Sequence, residues 1–127
     1  MSRYSEEYEC PGEIIESTMK LISRKWALQI IHEMFFNRTR FAEFKQNKPD
    51  LDNKTLSRLL KELQENGIVK KVSDDESNST RYYLTEKGKG LNRVIYEISA
   101  FAIDNSFEIK QDDREKIKNN IKIHLNC

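Results

Sequence analysis

The chain has 127 residues, with 22 Lys and Arg against 21 Asp and Glu, for a formal charge of +1. That length suits one domain with a single core, and its apolar residues recur periodically, unlike those of a disordered segment. No apolar run approaches the roughly 18 to 20 residues of a bilayer span, and the acidic start is unlike a signal peptide, so we expect a cytoplasmic protein with no membrane partner.

Taken in chain order, residues 11–22 read as a helix, with Cys10 at the N-cap, Pro11 first, and Ile14, Ile15, Met19 and Ile22 at helical spacing. A second helix spans residues 25–36 on the stripe Trp26, Ala27, Ile30, Ile31 and Met34. Thr39 can cap a short third helix over residues 40–46, whose Phe41 and Phe44 point one way. Pro49 then breaks the chain. The fourth helix has the clearest signals. Asp52 is a good N-cap, Leu51 can staple onto Leu56, and Leu56, Leu59, Leu60 and Leu63 form a core stripe that ends at Asn66-Gly67. Two strand-like runs, 68–73 and 80–84, flank a polar tip and read as a hairpin. Thr85 caps a long helix through Leu91, Val94, Ile95, Ile98, Phe101 and Ala102. A last helix over residues 113–125 carries Ile117, Ile121 and Leu125 on one face.

Short helices, a turn, a well-capped helix and then a hairpin is the order of a winged helix-turn-helix. The fold class is therefore mainly α with a small β-hairpin (α+β): a winged core over about residues 25–88, with outer helices at about 11–22 and 86–125. Opposite its leucines, the fourth helix carries Asn53, Lys54, Ser57, Arg58 and Lys61 at steps of one, three, one and three. Cationic side chains meet phosphates or guanine edges, Asn and Ser meet base edges or backbone, and a helix of about 10–12 Å diameter fits the major groove. The neutral total hides two surfaces. Residues 20–48 hold seven cations against two acids, +5, whereas residues 1–19 sum to -4. Phosphate binding depends on the local patch and not on whole-chain charge.

Catalysis and metal binding find little support. The cysteines, Cys10 and Cys127, lie near opposite ends, and His32 and His124 are the only histidines. His124 and Cys127 supply two ligands at most, too few for a structural metal, and no nucleophile-base arrangement is present. We expect no enzyme activity, no metal and no cofactor. His32 reads as a half-buried packing residue.

The motifs Cys10-Pro11, Lys25-Trp26, Lys54-Thr55-Leu56-Ser57-Arg58-Leu59-Leu60 and Leu84-Thr85-Glu86-Lys87-Gly88 occur together in one order. Over about residues 10–102 the chain resembles the HxlR-type transcriptional regulators, a branch related to the MarR group. The resemblance implies a homodimer that binds double-stranded DNA at a pseudo-palindromic operator. Its DNA contacts would be Arg40, Asn53, Lys54, Thr55, Ser57, Arg58 and Lys61, with Arg81, Lys70 and Lys71 at the wing base. The acidic tip of Asp74, Asp75 and Glu76 departs from the family pattern and would be repelled by phosphate. Ile14, Ile15, Leu91, Val94, Ile95, Ile98, Phe101, Ala102, Ile117 and Ile121 would form the dimer interface, because these stripes lie beyond the winged core and need cover. The alternative is that the two C-terminal stripes cover each other within one subunit.

Several family members resemble redox or electrophile sensors that use a cysteine at the position of Cys10. A helix N-terminus lowers a thiol pKa, while Glu6, Glu7, Glu9 and Glu13 raise it, so the sequence leaves the balance open. The rival switch is a small ligand at the dimer interface among Trp26, Phe35, Phe36, Tyr96 and Phe101. A different class of function is a winged-helix module whose fourth helix docks an acidic protein.

Overall fold

The computed structural model describes residues 12–74, 76–77 and 79–127, so Cys10 and its cap lie outside the described residues. The elements are α1 (Gly12–Ile22), α2 (Ala27–Phe35), α3 (Phe41–Lys45), α4 (Asn53–Glu65), β1 (Val69–Asp74), β2 (Ser79–Leu84), α5 (Glu86–Lys89), α6 (Asn92–Asp104) and α7 (Gln111–Leu125). The expected winged helix-turn-helix order is present. No helix among the described residues is long and apolar enough to cross a membrane.

One core gathers the α2 stripe Ala27, Ile30, Ile31 and Met34 with Phe44 of α3 and the four leucines of α4. Val69, Tyr82 and Leu84 close it from the sheet, and Phe44 meets Tyr82 edge-on at 6.1 Å between ring centres. The strands pair antiparallel with Val69 opposite Leu84 and Val72 opposite Arg81. Since opposite residues share a face, Val69, Lys71, Tyr82 and Leu84 lie on the core side, and Lys70, Val72, Arg81 and Tyr83 on the outer side. Thr39 extends the sheet locally, its carbonyl accepting the Tyr82 N–H at 2.8 Å.

Several boundaries differ from expectation. Arg40, not Thr39, caps α3, and the Glu43 carboxylate accepts the backbone N–H of both Thr39 (3.1 Å) and Arg40 (2.9 Å). Those two bonds hold the Glu43 carboxyl below its ordinary pKa. The long helix expected after Thr85 is two helices. Thr85 caps the four-residue α5, accepting the Gly88 N–H at 3.0 Å, and the chain then turns through Gly90 and Leu91 before α6. Asn92 fixes the new direction by donating to the carbonyls of Leu125 (2.9 Å) and Asn126 (3.2 Å) at the end of α7.

α6 and α7 form an antiparallel hairpin that covers part of the two C-terminal stripes and leaves Ile98, Phe101, Ala102 and Ile117 exposed. Arg114 donates to the carbonyls of Asp104 and Ser106, both at 3.0 Å, and Lys118 pairs with Asp104 at 2.9 Å. The ring of Phe36 lies between His32 (4.6 Å) and His124 (4.7 Å), seating the end of α7 on α2. His32 is half-buried, as expected, and burial lowers its pKa. At the other end of α2, Trp26 serves as N-cap at φ 77°, a left-handed conformation that costs a bulky residue about 1–3 kcal/mol. Its ring packs on the core, which holds it there.

Candidate nucleic-acid interface

Local chemistry positions α4. The Asp52 carboxylate accepts the Thr55 N–H at 2.7 Å, and this bond, with a second from the Thr55 side chain, holds the carboxyl below its ordinary pKa. Leu51 and Leu56 are both buried, as a hydrophobic staple requires. At the other end, Gly67 takes φ 72°, its N–H donates to the Gln64 carbonyl, and the Ile68 N–H donates to the Leu63 carbonyl. That pair of bonds is a Schellman cap, and Gly67 accommodates it without a Cβ penalty.

With both ends fixed, the two faces of α4 separate cleanly. Leu56, Leu59, Leu60 and Leu63 are buried, while Asn53, Lys54, Thr55, Ser57, Arg58 and Lys61 are exposed. Thr55 faces outward but is engaged with Asp52, so it steadies the cap. The positive end of the helix dipole and three cations therefore share one open surface.

The structure also shows which cations of the basic stretch are already paired. Arg24 binds Glu62 at 2.7 Å, and Glu33 takes both Lys48 (3.2 Å) and Arg38 (3.7 Å). Arg40 is exposed at the start of α3. Arg81, expected to face DNA at the wing base, is half-buried and donates to the Thr39 hydroxyl at 2.8 Å. Its guanidinium thus also ties the wing to the chain before α3. Lys70 and Lys71 are both exposed but occupy opposite faces of β1, so one flat surface cannot use both alike. At the wing tip, Asp74 accepts from the Ser77 hydroxyl (2.7 Å) and the Glu76 N–H (3.0 Å), which keep its carboxyl below the usual range and the tip negative.

The sequence reading did not anticipate the role of Lys45. Its ammonium donates to the Asn53 side-chain oxygen across the helix-turn-helix junction. The partners are eight residues apart on different helices, and no local pattern marks such a pair.

The residues expected at a dimer interface fall into two groups. Ile14, Ile15, Ile98, Phe101, Ala102 and Ile117 are exposed on the protomer, and α1 buries none of its residues. Ile95 is a correction: it is buried within the chain between α6 and the core, so it holds α6 in place and offers nothing to a partner. Leu91, Val94 and Ile121 are half-buried, and Leu91 and Ile121 pack on the same core. Of the aromatic residues considered for a ligand, only Phe35 lines the cavity of about 750 Å³ between the outer face of the wing and the end of α7. Trp26 and Tyr96 pack on the core, and Phe101 projects outward.

A short helix, a turn, a helix with buried leucines and an exposed cationic face, and a hairpin behind it together define a winged helix-turn-helix DNA-binding fold. Residues 21–109 match the HxlR-like helix-turn-helix family, and the chain belongs to that family of transcriptional regulators. It is 35% identical over 102 residues to the uncharacterized HTH-type transcriptional regulator YvaP of Bacillus subtilis, covering 77% of this chain and 93% of that relative. Among solved structures, it is similar to the reduced form of the B. subtilis regulator YodB (33% identity, TM-score 0.64, 80% of this chain and 99% of that one). It is also similar to the redox regulator HypR in its oxidized form (27% identity, TM-score 0.66, 76% and 98%). YodB matches in its diamide-treated and quinone-bound forms as well.

Proposed function

We propose that this chain is a cytoplasmic, homodimeric repressor or activator that lays α4 of each protomer into successive major grooves of a pseudo-palindromic operator. The observation that carries the reading is the division of α4 into a buried leucine face and an exposed face of Asn53, Lys54, Ser57, Arg58 and Lys61. The exposed apolar residues of α1 and α6 support a dimer, which would set the two α4 helices about 34–36 Å apart. Arg40 and Lys61 serve the flanking phosphates, and Lys70, Lys71 and Arg81 contribute at the wing base.

Combined Lys54→Ala and Arg58→Ala substitutions should weaken binding to a selected duplex about 100-fold while leaving the circular dichroism spectrum unchanged. The wild type should also show a steep loss of affinity with salt. Equal affinity of wild type and the double variant in a gel-shift titration would refute the placement of α4. Absence of any salt-dependent binding to duplex DNA would instead favour an acidic protein partner.

The relatives support thiol control as the switch. HypR is described as a redox regulator in oxidized and reduced forms, and YodB was solved reduced, diamide-treated and quinone-bound. In this chain we assign that role to Cys10, set before Pro11. Diamide or a quinone should change the operator affinity of the wild type at least tenfold and leave Cys10→Ser unaffected. If all four samples bind alike, Cys10 is not the switch.

A further inference from the structure

We infer that Lys45 sets the base read by the N-terminus of α4, directing Asn53 to guanine and away from adenine. The inference rests on the proposed entry of α4 into the major groove. An asparagine amide has one acceptor oxygen and two donor hydrogens, and reads adenine through both kinds of group. Its nitrogen donates to adenine N7 while its oxygen accepts from the adenine amino group. Here the Asn53 oxygen already accepts from the Lys45 ammonium, which is a donor only, so the orientation of the amide is fixed by chemistry.

The neighbouring acceptor is also engaged. Both the backbone N–H and the side chain of Thr55 bond to the Asp52 carboxylate. The Lys45 charge also contributes, after the Thr55 bonds, to keeping Asp52 ionised. What this end of α4 offers to a base edge is therefore mostly N–H groups, two on Asn53, those left on Lys45 and those of Lys54, against the one lone pair left on the Asn53 oxygen. Guanine presents two acceptors, O6 and N7, in the major groove. Adenine offers a single acceptor, N7, beside an amino group, and cytosine only an amino group, so both satisfy fewer of these donors than guanine does. Lys45 is thus a positioning residue for specificity, acting through Asn53.

The test is selection of preferred sites from a randomised duplex library by the full-length wild type, Lys45→Met and Asn53→Ala proteins. The wild type should select guanine at one position per half-site, and Asn53→Ala should lose that preference. Lys45→Met frees the Asn53 oxygen and should move the preference at that position toward adenine by about tenfold or more. A purely structural role for Lys45 would lower affinity without changing the base selected. Adenine selected by the wild type, or an identical logo from Lys45→Met, would overturn the inference, as would a site insensitive to Asn53→Ala. In each of those cases a continued loss of binding on Arg58→Ala leaves the placement of α4 intact. Failure of every protein to bind duplex DNA would remove both readings together.

Discussion

Gly88→Ala should destabilise the protein by about 3–5 kcal/mol, although alanine is the better helix former and Gly88 lies in a helix. A methyl group at this position would stand 2.2 Å from the Ile68 carbonyl oxygen and 3.1 Å from its carbonyl carbon. Those are backbone atoms at the joint between α4 and β1, and they cannot swing aside as a side chain can. The same carbonyl accepts the Thr85 N–H at 3.0 Å, while the Thr85 hydroxyl donates to the adjoining Gly67 carbonyl and accepts from the Gly88 N–H at 3.0 Å. Moving α5 away to admit the methyl would therefore stretch these partly buried hydrogen bonds together, adding a lost-bond cost to the overpacking cost. Thermal unfolding followed by circular dichroism should show a fall of about 10–20 °C. Gly12→Ala is the matched control, since no described residue lies within 4 Å of the added carbon and Gly12 opens a helix. It should melt at or slightly above the wild-type temperature. A Gly88→Ala protein melting within about 2 °C of wild type would mean that the joint relaxes freely, contrary to its hydrogen bonding.

The same joint shows why parts of this fold were legible in the sequence and others were not. α4 could be placed to the residue because its signals are local: the Asp52 cap reaches three residues, the Leu51–Leu56 staple five, and the Asn66-Gly67 cap is written in one dipeptide. The turn at Gly90 and Leu91 was missed because Thr85 caps a short helix as well as a long one. What ends α5 is the grip of Asn92 on the end of α7, 33 residues away. Arg81 was legible as a wing cation, but its bond to Thr39 joins residues 42 apart. The two isoleucines of α6 make the point most sharply. Ile95 and Ile98 occupy one helical stripe and are equivalent by periodicity, yet Ile95 is 4% exposed and Ile98 52%. The core covers one edge of the stripe and leaves the other open, a distinction that belongs to packing and not to pattern.

That open edge yields the prediction with the largest functional effect. Ile98→Asp combined with Phe101→Asp should leave the protomer folded and abolish the proposed dimer. Phe101 is 71% exposed, so in the protomer both aspartates would face water, and their effect on its stability should fall within about 0.5 kcal/mol each. Within a dimer interface the same carboxylates would be buried without a partner, a cost of several kcal/mol for each subunit. Sedimentation equilibrium should then report a 15 kDa species at concentrations where the wild type sediments at twice that mass. Loss of the second half-site contact should weaken operator binding by about 10² to 10⁴, because tethered binding of the second α4 is replaced by independent binding. Ile95→Ala separates the two roles of the stripe. Its side chain is covered within the protomer, so it should lose about 2–4 kcal/mol of stability while the association of the folded fraction is retained. If the double aspartate protein remained a dimer with unaltered operator affinity, the α6 face would be ordinary surface, and α1, with its exposed Ile14 and Met19, would have to carry the association alone.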